Sequence, residues 1–163
     1  MNHLLHTVFD LLRLRAGPQD LPADPRLTGM VIVAYVAQAI FTSQALGGEN
    51  EPTRSLMAIA IQFGAVAAML LYRRNPERLQ QTLMAFAATG IVVSLIAFGL
   101  LLQSDPQQNQ PLLALFWFLI FGWSLAVDAN IFRHALNVSM PIAMLITVML
   151  LALTYLVLEL SLR

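Results

Sequence analysis

The segment Gln80–Leu102, QQTLMAFAATGIVVSLIAFGLLL, indicates a membrane-spanning helix, because its 23 residues include no charged side chain. A helix rises about 1.5 Å per residue, so about 20 apolar residues cross the roughly 30 Å hydrocarbon core of a bilayer. Four further apolar runs carry at most one charge each. They are Leu27–Leu46, Ser55–Tyr72, Pro111–Phe132 and Ser139–Leu160, of which Ser55–Tyr72 is the shortest. The sequence predicts an all-α, polytopic membrane protein built as a bundle of five transmembrane helices.

The composition of the whole chain agrees with this prediction. Of 163 residues, 58% are hydrophobic and 11% are charged, whereas a soluble domain carries roughly 25% charged residues. The formal net charge of zero argues against a nucleic-acid partner, which needs a basic excess. The absence of cysteine excludes a disulfide, a thiolate zinc site and a thiol nucleophile. The lipid bilayer is the expected surrounding.

Two regions organise the chain. Residues 1–26 are expected to form a cytoplasmic amphipathic helix followed by a proline-rich linker, and residues 27–163 the transmembrane domain. The connections between the apolar runs are short, so consecutive helices are expected to pack as antiparallel neighbours.

Arginine placement predicts the orientation, because basic residues in short loops stay in the cytoplasm. An N-terminus inside and a C-terminus outside put seven arginines on the cytoplasmic side of a bacterial inner membrane and two, Arg54 and Arg163, on the periplasmic side. The seven are Arg13, Arg15, Arg26, Arg73, Arg74, Arg78 and Arg133.

The N-terminal helix is expected to lie in the membrane interface, with polar and apolar residues on opposite sides. The polar side holds His3, His6, Asp10 and Arg13, and the apolar side Leu4, Leu5, Val8, Leu11 and Leu12. His3, His6 and Asp10 are interpreted as a polar face rather than as metal ligands, and no cofactor is expected.

Asp128 is the one ionisable residue well inside an apolar run, and such a residue is costly in a membrane. It is interpreted either as a structural ion pair, with Arg73, Arg74 or Arg78 as the partner by depth, or as a site for a proton or cation. A contact with a partner subunit is a third interpretation.

Four polar side chains lie at similar depth in different helices: Gln38, Gln62, Ser94 and Thr154. They are expected to point into the bundle and form hydrogen bonds between helices, and such a layer can also bind a small substrate.

Small residues form stripes on two helices, which lets helix backbones approach closely. The stripes are Ala60, Gly64 and Ala68 in the second run, and Ala87, Gly90, Ser94 and Ala97 in the third. Packing within the chain is the favoured interpretation and a dimer interface the alternative.

Three segments and the predicted topology each carry a resemblance to known proteins. The segments are Leu12–Pro22 (LRLRAGPQDLP), Trp123–Val127 (WSLAV) and Phe132–Leu136 (FRHAL). The segments resemble small uncharacterised inner-membrane proteins of proteobacteria. The five-span plan is similar to that of the YIP (Ypt-interacting protein) family, whose eukaryotic members are adaptors in vesicle trafficking. The resemblance implies no catalytic residue.

Three functions remain open. The favoured one is an accessory, scaffold or regulatory subunit of a membrane or envelope complex, with another membrane protein or a second copy as partner. The alternative is a small transporter or channel that uses Asp128. A membrane enzyme is the third possibility, since Gly122–Leu125 (GWSL) includes a serine that could act as a nucleophile. It is the least favoured, because no span contains a histidine to act as the base.

Overall fold

A computed structural model describes residues 2–45, 51–104 and 110–161. Within these ranges the chain forms six α-helices and no β-strand. Five of the helices, α2 to α6, are long and apolar enough to cross a membrane, which confirms the prediction of an all-helical, multi-pass membrane protein. Leu46, Glu49, Asp105 and Arg163 lie outside the described residues. The helices are α1 (Asn2–Leu12), α2 (Pro25–Ala45), α3 (Glu51–Tyr72), α4 (Leu79–Leu101), α5 (Pro111–Leu136) and α6 (Met140–Ser161).

The helix ends follow local sequence signals. α2, α3, α5 and α6 all have a proline in the first turn, where its missing N–H costs no hydrogen bond. α3 begins at Glu51 and has 22 residues, as many as α6 and one more than α2, so the second span is not the shortest. α5 continues through Arg133 to Leu136 and ends where Asn137 adopts a left-handed conformation, with φ of 52°, as asparagine often does after a helix.

The five long helices form a ring in the order α2, α4, α5, α6, α3 and back to α2. The expectation that consecutive helices are close neighbours therefore holds for α2 with α3, α4 with α5, and α5 with α6. α3 and α4 are consecutive but contact each other less extensively, because α2 lies beside both. A ring of this kind encloses an interior that side chains from all five helices can line.

One end of the ring carries the turns 73–78 and 137–139, and we call it the arginine end because Arg26, Arg73, Arg74, Arg78 and Arg133 lie there. The buried core is concentrated toward this end. On α4 the buried residues fall between 82 and 89, and on α5 between 127 and 136. The rings of Phe86 and Phe132 lie 5.0 Å apart between these two helices. Farther from the arginine end, α5 exposes most of its apolar side chains, as expected of a surface that faces lipid. Leu112 and Phe118, for example, are 71% and 73% exposed.

The N-terminal segment packs along the side of α4 and α5. The indole N–H of Trp123 donates to the carbonyl of Leu12 at 3.0 Å, and the amide of Asn130 donates to the carbonyl of Ala16 at 2.9 Å. Trp123 lies 13 residues before Leu136, about 20 Å from the arginine end. α1 therefore lies beside the middle of these helices, not across their ends.

α1 divides its residues only in part as the sequence suggested. Val8 and Leu11 are buried, but Leu5 and Phe9 are 65% and 52% exposed. Apolar side chains therefore occupy two sides of α1. One side packs on α4 and α5, and the other is exposed. His6 is largely exposed and lies 3.1 Å from Asp10.

Candidate functional site inside the helix bundle

Asp128 lies on α5, eight residues before Leu136, which is about 12 Å from the arginine end. It lines a cavity of about 190 Å³ between α3, α5 and α6. Three polar side chains line the same cavity, Gln62 on α3 and both Thr147 and Thr154 on α6, and the other lining residues are apolar. The cavity therefore gathers a carboxyl group, an amide and two hydroxyls within the bundle.

The ion pair that we expected at Asp128 is not formed. Between described residues, the only ion pair joins His6 and Asp10. Arg73 and Arg78 instead donate to carbonyl oxygens at the end of α5, from Arg73 to Leu136 at 3.3 Å and from Arg78 to His134 at 3.0 Å.

The geometry explains this difference. The last carbonyls of a helix have no partner within it and attract cations, so the two arginines cap α5 at the arginine end. Arg74, the third candidate partner, has an exposed side chain and a left-handed backbone with φ of 58°. Asp128 faces the cavity, away from these groups.

A second cavity, of about 260 Å³, adjoins the first and shares Ala58 and Gln62 with it. Three of the four side chains expected in a polar layer, Gln38, Gln62 and Ser94, line this second cavity. The fourth, Thr154, lines the Asp128 cavity with Gln62. Gln62 thus lines both cavities and is the polar side chain that the two groups share.

Gln38 and Ser94 form the direct link between α2 and α4. The Ser94 hydroxyl has three acceptors within reach: the Gly90 carbonyl at 2.7 Å, the Gln38 side-chain oxygen at 2.8 Å and the Ile91 carbonyl at 3.2 Å. A hydroxyl has one proton, so it can fully satisfy only one of them. The Gln38 Nε2 atom is buried and has no partner among the described residues. A buried amide without a partner is costly and suits a polar ligand or water in the second cavity.

Tyr35 also lines the second cavity and was not predicted from the sequence. Its ring stacks on Phe63, with centroids 6.2 Å apart. Gly90 allows this position, because a Cβ atom there would lie 2.8 Å from a carbon of the Tyr35 ring.

Spacing along the helices could have identified the residues that sequence reasoning missed. Tyr35, Gln38 and Thr42 recur at intervals of three and four on α2, so they share one face, and all three line the second cavity. Thr147 and Thr154 are seven residues apart on α6, which also places them on one face.

The two small-residue stripes have different surroundings. On α4, Ala87 is fully buried and Gly90 contacts Tyr35, so this stripe packs within the chain. On α3, Ala60, Gly64 and Ala68 are all exposed, and a Cβ atom at position 64 would have no neighbour within 4 Å. The preferred interpretation of the α3 stripe as packing within the chain is therefore wrong. The ring turns this face outward.

The described residues contain no group of three or more possible metal ligands, and the side chain of His3 lies outside the described part. Comparison with protein-family models, curated proteins and solved structures found no match to this chain.

Proposed function

We propose that this protein binds and exchanges a proton or a small inorganic cation at Asp128 and acts as a small transporter or channel. The observation that carries the proposal is that Asp128 lines an interior cavity without pairing with any described basic residue. An intramembrane carboxylate is costly, and its cost falls when it binds a proton or a cation. The loss of the expected ion pair removes the main support for a purely structural role.

The other groups in the cavities support the same proposal. Gln62, Thr147 and Thr154 supply neutral oxygen atoms, which suit hard cations and hydrated protons. Because Gln62 also lines the second cavity, it can pass a bound ion toward Gln38 and Ser94. Ser94 lies 15 residues after the start of α4, about 22 Å from the arginine end. Asp128 and Ser94 therefore lie at two depths in neighbouring cavities.

The proposal is tested by flux measurements on the full chain in liposomes, with a proton gradient or a sodium gradient applied. Asp128→Asn removes the charge at almost constant volume and is expected to abolish the flux. Glu77→Gln makes the same chemical change at an exposed site and is the matched control. Unchanged flux through Asp128→Asn would remove this residue from the mechanism.

A second candidate is the accessory, scaffold or regulatory subunit, favoured by the outward-facing stripe of Ala60, Gly64 and Ala68. Small residues of this spacing are enriched where membrane helices pack together, so the partner is another membrane protein or a second copy. Gly64→Leu is expected to prevent cross-linking to that partner in native membranes. Gly122→Leu changes an exposed helical glycine outside the stripe and should have no effect. Equal cross-linking in both variants would argue against this candidate.

We further propose an inner-membrane location with the N-terminus in the cytoplasm, supported by the five arginines at the arginine end of the ring. The chain has no cysteine, so Asn75→Cys and Ser104→Cys can each be labelled alone in intact cells. A membrane-impermeant thiol reagent should label position 104 and not position 75. Labelling of position 75 and not of position 104 would show that the topology is opposite to the one proposed. The similarity to the YIP family stays a prediction.

A further inference from the structure

A cavity of about 630 Å³ lies at the arginine end of the ring, where α5 ends and α6 begins. Its basic lining residues are Arg78, from the turn before α4, and both Arg133 and His134, from the last turn of α5. Asn137 and Ser139, from the turn that follows α5, add an amide and a hydroxyl group. None of the described residues that line this cavity is acidic. The cavity is therefore positively charged and rich in hydrogen-bond donors.

The two arginines of this cavity are not neutralised by the described part of the chain, where the one ion pair joins His6 and Asp10. Arg133 is exposed and forms no hydrogen bond with a described residue. Arg78 caps α5 through Nη1, which donates to the carbonyl of His134 at 3.0 Å. A guanidinium group has five N–H donors, so Arg78 keeps others for a ligand.

His134 has one ring nitrogen free for a ligand. Its Nδ1 atom lies 2.8 Å from the carbonyl oxygen of Asn130, and a carbonyl only accepts, so Nδ1 carries a proton. The Nε2 atom has no partner in the described part of the chain. An anion beside Nε2 favours the protonated imidazole, in which this nitrogen also donates. Three side chains can thus donate to one anion in this cavity.

The cavity lies at the depth of the lipid headgroups. α5 has 26 residues, so it is about 39 Å long, whereas the hydrocarbon core of a bilayer is about 30 Å thick. Arg133 lies 22 residues after Pro111, which is about 33 Å along the helix. With Pro111 at one edge of the hydrocarbon core, Arg133 lies just beyond the other edge. Phosphate is the anion that a bilayer supplies at this depth, and soluble phosphate compounds also reach it.

We infer that this cavity binds a phosphate group, held by Arg78, Arg133 and His134. Guanidinium groups match phosphate oxygens with paired, charge-assisted hydrogen bonds, and the amide and hydroxyl of the turn after α5 offer further donors. The phosphate belongs either to a lipid headgroup or to a soluble compound, since both present the same oxygen atoms. The site is separate from the Asp128 cavities and independent of the function proposed for them.

Two binding measurements on the full chain test this site and separate the two sources of phosphate. Native mass spectrometry in detergent compares phosphatidylglycerol with phosphatidylcholine, and calorimetry in phosphatidylcholine nanodiscs uses inorganic phosphate. Preferential retention of phosphatidylglycerol would identify a lipid headgroup, and saturable binding of inorganic phosphate would identify a soluble compound. Either result supports the site. Binding of neither probe would overturn the inference.

Arg133→Gln is expected to lower the affinity for the probe that binds by about fivefold or more, because it removes one guanidinium group. The Arg133 side chain is exposed, so the variant should fold. Arg74→Gln removes the same charge at an exposed position of the arginine end outside the cavity and is the matched control. Arg133→Lys keeps the charge without the paired donors and should have an intermediate affinity. Equal affinity of Arg133→Gln and Arg74→Gln would overturn the inference.

Nitrogen NMR of the imidazole ring tests the site without changing any residue that lines it. The chain has three histidines, so His3→Gln with His6→Gln leaves His134 as the only imidazole. The Nε2 signal of His134 should shift as the bound probe is added and should not shift with the same concentration of sodium chloride. An unchanged Nε2 signal at saturating probe, or an equal shift with chloride, would overturn the phosphate assignment.

Discussion

Tyr35 on α2 and Gly90 on α4 are in direct contact, since a Cβ atom at position 90 would lie 2.8 Å from a carbon of the tyrosine ring. No side chain larger than hydrogen fits there while the ring stays in place. The contact joins two neighbouring helices of the ring and fixes the position of Tyr35 in the lining of the second cavity. Packing between α2 and α4 therefore determines part of the candidate site.

Replacing Gly90 with alanine is expected to destabilise the protein, because either the Tyr35 ring or α2 must shift. Overpacking of this kind typically costs about 1–3 kcal/mol. Gly64→Ala is the matched control, because that position has no neighbour within 4 Å and alanine favours a helix. Unfolding of both variants in mixed micelles measures the difference. Equal stability of the two variants would show that the contact with Tyr35 is unimportant.

The five-span fold could be predicted because membrane helices need long apolar runs, and the runs are unmistakable in this sequence. The rotation of each helix could not be predicted in the same way. Ala60 and Gly64 look like packing residues in sequence but face outward. Apolar residues are acceptable on either side of a membrane helix, so hydrophobicity does not report which side faces the protein.

The candidate site could be predicted only in part. Asp128 and Gln62 stand out as polar residues in apolar runs, and they line the same cavity. The partners proposed for Asp128 were chosen by depth alone, and depth does not give direction. Arg78 has nearer acceptors at the end of α5. Tyr35 was missed because tyrosine is common in membrane helices and carries no charge.

Asn130 anchors the N-terminal segment, so Asn130→Ala is expected to loosen that segment without unfolding the bundle. The variant loses the hydrogen bond to Ala16 and leaves a carbonyl group without a partner, at a cost of about 1–3 kcal/mol. Trypsin should then cleave after Arg13 and Arg15 about fivefold faster or more.

The control for this measurement is Ser124→Ala. In the wild-type chain the Ser124 hydroxyl donates to the carbonyl of Phe121 on its own helix. Its cleavage rate should match that of the wild-type chain. If Asn130→Ala is also cleaved at the wild-type rate, the bond to Ala16 does not hold the segment.

Gln38→Leu is expected to maintain or raise stability while it impairs ion flux. The substitution removes a buried amide nitrogen that has no described partner, and Ser94 keeps its hydrogen bond to Gly90. The expected gain is about 1 kcal/mol. Gln44→Leu, at an exposed position of the same helix, should leave flux unchanged. Unfolding and liposome flux together separate the two effects, and a loss of both stability and flux would indicate a structural role for Gln38.

Infrared difference spectroscopy of the full chain in lipid tests the role proposed for Asp128, because it detects a carboxyl group as it binds a proton or a cation. The spectrum is recorded while the pH or the sodium concentration is changed. A carboxyl band is expected that responds to one of these changes, disappears in Asp128→Asn and persists in Glu77→Gln. A spectrum of Asp128→Asn identical to that of the wild-type chain would show that Asp128 binds neither a proton nor a cation.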